Sequence, residues 1–358
     1  MAPEMLVYVG TYTRKEGEGI YLYRVDLAKG KLELVDVTPI VSPSFLAIHP
    51  SGRYLYSVNE VGELEGKPSG GVSAFAIDPE TGKLRFLNQQ LSQGEGPCYV
   101  SVDKTGKFAF VANYVGGSVA VLPIREDGAL EPASDSVQHE GKGADPNRQE
   151  KAHAHSILPD PQNRYILAAD LGLDRVMVYK LDPQKGKLLP NETPWAQLAP
   201  GAGPRHIAFH PNGRYVYVIN ELDSTMAVFH YDAERGILQE VQTITALPEG
   251  FEGTSYCADV HVSLDGRFVY GSNRGHDSIV IFAVEKETGK LSCVGHEPTR
   301  GSFPRNFALS PDGELLLVAN QKSDNIVAYT VNRETGLLSF TGEITEAPIP
   351  VCIKFYAL

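Results

Sequence analysis

"PRHIAFHPNGRYVYVINE", residues 204–221, reads as a β-hairpin: two short runs rich in Ile, Val, Tyr and Phe flank the turn signal "HPNGR". The same pattern returns at equal length as "PSFLAIHPSGRYLYSVNE" (43–60), "PCYVSVDKTGKFAFVANY" (97–114) and "AHSILPDPQNRYILAADL" (154–171). It continues as "CADVHVSLDGRFVYGSNR" (257–274) and "PRNFALSPDGELLLVANQ" (304–321). A third apolar run follows each copy, such as "MAVFHYD" or "IVIFAVE". A fourth is announced by "GKLELV", "GKLRFL", "GALEPA", "GKLLPN", "GILQEV", "GKLSCV" and "GLLSFT". Those seven markers recur about every 51 residues, a period that signals a propeller or solenoid. Four short strands per unit is the β-propeller blade.

The two ends of the chain complete the count. "LVYVGTYT", "GIYLYRV" and "GKLELV" supply second, third and fourth strands without a first, and "PVCIKFYAL" at the carboxy end is a first strand alone. Joined, they make a seventh blade and close the ring, which removes edges that invite aggregation. The expected fold is therefore all-β: one seven-bladed propeller domain over 1–358, its amino-terminal blade completed by the carboxy-terminal strand.

Composition narrows the function. Apolar residues make up 42% and charged residues 21%, the balance of a globular protein, and the formal charge is −12. That charge argues against nucleic acid or an anionic membrane as partner and leaves room for a small anion only where basic residues gather. No run is long enough to span a bilayer, and "MAPEMLVYVGTYT" lacks the basic region of a signal peptide. Cys98, Cys257, Cys293 and Cys352 have neither metal nor disulfide spacing, so free thiols in a reducing cytoplasm are expected. Oligomeric state is not legible.

Positions that differ between blades show where a ligand would bind. The first strand of each blade lines the channel, and its start shares a face with the end of the second strand. The strand starts are Ser44, Cys98, His155, Arg205, Ala258, Arg305 and Val351. The second strand ends in Asn59, Asn113, Asp170, Asn220, Asn273 or Asn320, a repeat that suits turn formation, and the next residue varies: Glu60, Tyr114, Leu171, Glu221, Arg274 or Gln321. Arg205, Arg274 and Arg305 thus converge with His155 and Glu221 at one mouth, an arrangement suited to phosphate or carboxylate. The insertion "VQHEGKGADPNRQEKAHAHS" (137–156) hangs over the same mouth, bringing Lys142, Arg148, Gln149 and Lys151. His153 and His155 alternate on a strand, which points both rings to one face; with no Cys or carboxylate at matching spacing, a metal is not expected.

These residues resemble the bacterial lactonase family of seven-bladed propellers, known for 6-phosphogluconolactonase activity and related to fungal carboxy-cis,cis-muconate lactonising enzymes. The resemblance covers essentially the whole chain. It rests on "YVGTYT", "RQEKAHAHS", "DLGLDRV", "GPRHIAFHPNGRYVYVINE" and "SNRGHDSIVIF". It implies a His, two Arg and a Glu as catalytic groups, matched here by His155, Arg205, Glu221 and Arg274, with His153 as alternative to His155. The implied reaction is metal-independent hydrolysis of 6-phospho-D-glucono-1,5-lactone in the pentose phosphate pathway, with no cofactor. In that scheme His155 is the base, or Glu221 if burial raises its pKa, and Arg205 meets the developing oxyanion. Arg274 and Arg305 anchor the phosphate, helped by Arg148, with Gln149, His153, His206 and Asn113 as further substrate contacts. Three rivals stay open: a muconate-type lactonising enzyme acting on a diacid, a calcium-dependent sugar lactonase using Asn59/Glu60 and Asn220/Glu221, and a non-catalytic binding platform.

Overall fold

A computed structural model describes residues 4–14 and 17–358; the first three residues of the amino-terminal stretch read above lie outside it. Among the described residues, twenty-eight strands form seven antiparallel four-stranded sheets, and no helix is present that could cross a membrane. Six sheets each take consecutive strands. The seventh is ordered Pro350–Ala357, Met5–Thr11, Gly19–Asp26, Lys31–Pro39, so the carboxy-terminal strand is the innermost strand of the first blade. The ring closes as the sequence predicts.

The recurrent glycine of the "GKL" markers has a structural explanation. Gly82, Gly128, Gly289 and Gly336 all have φ near +70° to +82°, where a side chain is strained. Their carbonyls accept hydrogen bonds from Tyr8, Tyr56, Tyr217 and Tyr270 of the preceding blade, at 2.5–3.0 Å. A Cβ on Gly128 or Gly289 would collide with the ring of Tyr54 or Tyr215. Each of these four markers is therefore a clasp between blades. The cores between neighbouring blades are filled by the apolar faces of their inner strands, with Leu55, Tyr56, Val111 and Leu122 between the second and third blades among the most buried.

One marker does not lead directly into its strand. In the third blade "GALEPA" (128–133) precedes a shortened strand, Asp135–Gln138; Pro132 cannot donate to a ladder, so pairing begins beyond it.

A second feature positions the site. In six blades the innermost strand slips register near its start, between Pro97 and Tyr99, Ala154 and Ser156, Pro204 and His206, Cys257 and Val260, Pro304 and Asn306, and Pro350 and Cys352. The unpaired residues are Cys98, His155, Arg205, the pair Ala258–Asp259, Arg305 and Val351. A β-bulge breaks the strict alternation of a strand and re-aims a side chain. The residues that vary between blades at this point are the ones the bulges release from pairing.

Candidate active site

The bulged strands meet at one end of the channel around a cavity of about 350 Å³. Its wall includes His155, Arg148, Arg274, Arg305, Glu60 and Glu221, with Cys98 and the aromatic residues Tyr12, Tyr114, Tyr256 and Phe303 between them. Glu221 is its electrostatic centre. One carboxylate oxygen lies 2.5 Å from Arg148 Nη2; the other lies 3.0 Å from Arg205 Nε and 2.8 Å from Arg274 Nη2. Burial alone would raise its pKa, but Arg274, Arg205 and Arg148 together carry it far below the usual carboxylate range. Glu221 is therefore a fixed anion whose acceptor positions are taken by guanidiniums.

The arginines differ in what they have left to offer. Arg205 is 1% exposed and does not line the cavity. Besides Glu221 it meets the Ala258 carbonyl at 2.5 Å and His206 Nε2 at 3.2 Å. Burial and the charges of Arg274 and Arg305 bring its pKa down to about 9. Arg274 donates to the Cys257 carbonyl at 2.9 Å as well as to Glu221, while its Nη1 makes no hydrogen bond among the described residues. Arg148 also reaches the Tyr114 hydroxyl, and among the described residues its Nε and Nη1 are unbonded. Arg305 has no hydrogen bond or ion pair among the described residues; its guanidinium lies 5.4 Å over the Tyr12 ring. Burial opposes its charge, but Tyr12, Glu60 and Glu221 outweigh that and raise its pKa.

His155 sits on this wall with Nδ1 3.6 Å from the Cys98 sulfur, and its ring packs edge-on against Tyr114 and His206. Burial, then the charges of Arg205, His206 and Arg305, keep its pKa well below 6.5, so the imidazole is neutral at pH 7. Across the mouth, Glu60 accepts from the Tyr12 hydroxyl at 2.8 and 2.9 Å and from the Ser44 hydroxyl. It has no ion pair among the described residues. Four guanidiniums against two carboxylates leave this end of an acidic protein positive.

The family comparison agrees with the architecture. The family described as "Lactonase, 7-bladed beta-propeller" matches residues 6–355. The chain belongs to that family. It is 40% identical to the 6-phosphogluconolactonase of Bacillus subtilis, covering 97% of each chain, and 38% identical to that of Formosa agariphila over 85% of this chain and 86% of the other. Among solved structures, the periplasmic gluconolactonase PpgL of Pseudomonas aeruginosa superimposes with a TM-score of 0.94 at 36% identity, over 99% of both chains.

Within this family member the sequence-predicted residues separate into three groups. His155, Glu221, Arg274, Arg305 and Arg148 line the cavity together. Arg205 and His206 lie beneath it, and His206 faces a second cavity at the far end of the channel, bonded to Asp259 at 2.7 Å. The direct oxyanion role expected of Arg205 does not fit its burial; it braces Glu221 instead. Gln149, His153 and Asn113 do not reach the cavity. Gln149 is fully buried, donating to the Leu171 carbonyl and Asp174, and ties down the loop that carries Arg148. Asn113 donates to the Ser118 hydroxyl of its own blade and to the Ser92 carbonyl, just past the outer strand of the second blade. His153 stacks on Tyr114 and bonds the Tyr114 carbonyl and Glu150. The bulge at His155 breaks the alternation that would have put both histidines on the cavity wall. The use of Glu221 as a base is also overturned, because its pKa moves down and not up. Among the described residues, no group of three or more His, Cys, Asp or Glu side chains is placed to hold a metal.

Residue types alone do not single out Tyr12, Glu60, Cys98, Tyr114, Tyr256 and Phe303 as site residues. Glu60, Cys98 and Tyr114 stand in the ring of varying positions, so a signal for them is present. Tyr256 and Phe303 stand two residues before the bulge, just outside the aligned hairpin segments.

Proposed function

We propose that the chain hydrolyses 6-phospho-D-glucono-1,5-lactone to 6-phosphogluconate, without a metal, as a step of the pentose phosphate pathway. The observation that carries this reading is the surplus of guanidinium donors in the cavity, above all Arg305, which makes no hydrogen bond or ion pair among the described residues. A phosphate bears a charge near −2 and several strong acceptors, which such a site satisfies in bidentate fashion. The relatives named 6-phosphogluconolactonase support the same substrate.

In this scheme Arg305 takes the phosphate. The free Nη1 of Arg274 and the free nitrogens of Arg148 face the lactone carbonyl, held in advance by Glu221 and backbone carbonyls. Donors fixed before charge develops are worth about 3–4 kcal/mol each to a transition state. His155 contributes a neutral ring beside the reacting carbonyl. The calcium rival fits less well: a calcium ion at Glu221 would meet three guanidiniums. The free thiols, Cys98, Cys257 and Cys352 buried and Cys293 exposed, suit a reducing cytoplasm.

The test is turnover of freshly generated lactone, coupled to 6-phosphogluconate dehydrogenase, with spontaneous hydrolysis subtracted. Acceleration that survives EDTA is expected. No acceleration, or full loss on chelation, overturns the proposal.

A further inference from the structure

We propose that Glu60 is the proton acceptor for the water that opens the lactone, an inference that rests on the reading above. Three side chains on the cavity wall, His155, Glu221 and Glu60, have the chemistry to accept that proton. Glu221 is excluded by its bonding, since three guanidiniums occupy both of its oxygens. His155 lies among Arg205, Arg305 and His206, so a proton taken there would be a further positive charge in a buried cationic cluster.

Glu60 has the opposite surroundings. Its partners, Tyr12 and Ser44, are neutral hydroxyls that donate to it and hold it as an acceptor. Tyr12 and Ser44 have one hydroxyl proton each to give, against about four acceptor sites on the carboxylate, so Glu60 keeps capacity for a water. Arg305 lies over the Tyr12 ring and makes no ion pair with Glu60 among the described residues, which leaves the carboxylate oxygens open. The backbone is fixed as well: Glu60 N–H donates to the Ser42 carbonyl at 3.0 Å. Glu60 and Glu221 occupy the same position in the second and fifth blades, one residue past the buried Asn that ends the second strand. The ring thus presents two equivalent carboxylates from well-separated blades. One is saturated with cations and organises them; the other is left free to accept a proton.

The step balances without a co-reactant. The water oxygen bonds to the lactone carbonyl carbon as one water proton passes to Glu60. The carbonyl electron pair moves onto oxygen, facing Arg274 and Arg148. When the tetrahedral intermediate collapses, the ring C–O bond breaks and the proton on Glu60 passes to the departing ring oxygen. The product acid then ionises to solvent, and Glu60 is an anion again.

The experiment compares wild type, Glu60→Gln and Glu60→Ala in the coupled lactone assay, with thermal melting to establish that each variant folds. Glu60→Gln keeps the shape and an acceptor for Tyr12 and Ser44 but cannot take a proton. Its kcat is expected to fall by at least about 100-fold with KM unchanged. Formate added to Glu60→Ala is expected to restore rate in proportion to its concentration and to do nothing for wild type. Glu60→Gln with wild-type kcat overturns the assignment, as does a folded Glu60→Ala enzyme that formate does not rescue. A change confined to KM overturns it too, by making Glu60 a binding group. In each of those cases an active wild type leaves the proposed function standing; an inactive wild type removes both.

Discussion

Arg305 and Arg205 are alike in kind and opposite in use. Both emerge from a bulge at the start of an innermost strand, and the sequence alone ranks them together. The structure separates them by what they touch: Arg205 is spent on Glu221, Ala258 and His206, whereas Arg305 has no bonded partner among the described residues. Replacing Arg305 by Ala is therefore expected to raise KM for the phospholactone by about 10- to 100-fold, the worth of one charged hydrogen-bonding group, with a smaller effect on kcat. Saturation curves for the variant check this. His206 carries a second residue-level prediction. Burial and then Arg205 lower its pKa to about 4, against the opposing pull of Asp259; Arg305 adds positive charge, and the neutral His155 ring packs edge-on against it. The unfolded chain takes up a proton near pH 6.5 and the native ring does not until about pH 4. Its contribution to stability is thus complete above 6.5 and is lost as pH falls through that window, on the order of 3 kcal/mol. Urea midpoints measured from pH 7 to pH 4 should fall, and a His206→Gln variant should fall less steeply. None of this selectivity is legible from residue types, because whether an arginine is free depends on carbonyls and carboxylates contributed by other blades.

At the scale of single elements, the start of the innermost strand decides most of the site. In five blades the residue that leads into the innermost strand has a positive φ and precedes a proline: Ser42, Gly96, Gly203, Phe303 and Ile349. Two of these are glycine, the residue that adopts this conformation without strain. Phe303 holds it with a large side chain at φ +67°, its ring 5.0 Å from the Arg274 guanidinium and 3.9 Å from Lys322. The backbone there is strained to keep an aromatic face against the cations of the cavity. Phe303→Ala loses the ring and keeps the strain; Phe303→Gly loses the ring and relieves it. The glycine variant should therefore be the more stable of the two by about 1–2 kcal/mol, with KM raised alike in both. Denaturant titration of the pair checks the difference. The strands themselves are legible, since alternation and turn residues mark their ends. The bulges are not, because a strand with one extra residue looks like a strand one residue longer until its partner is known.

The whole molecule is legible from its ends. "LVYVGTYT" without a first strand and "PVCIKFYAL" without a partner predict ring closure, and the structure pairs Met5–Thr11 with Pro350–Ala357 along their length. Val351, Cys352 and Ile353 are each at most 2% exposed in that blade. Deleting residues 350–358 should leave the strand Met5–Thr11 as an open apolar edge, and the shortened chain is expected to elute as aggregate in size-exclusion chromatography with its cooperative melt lost. The same closure constrains synthesis. The Glu4 carbonyl is bonded by the N–H of Leu358, the last residue of this sequence. At translation rates of about 5–20 residues per second, the first blade waits about 20–70 s for its innermost strand, with one edge unsealed throughout. Six blades can form as they leave the ribosome; the one begun first is finished last. In a living cell the exposed edge of a half-made ring belongs to whatever chaperone reaches it before the carboxy terminus does.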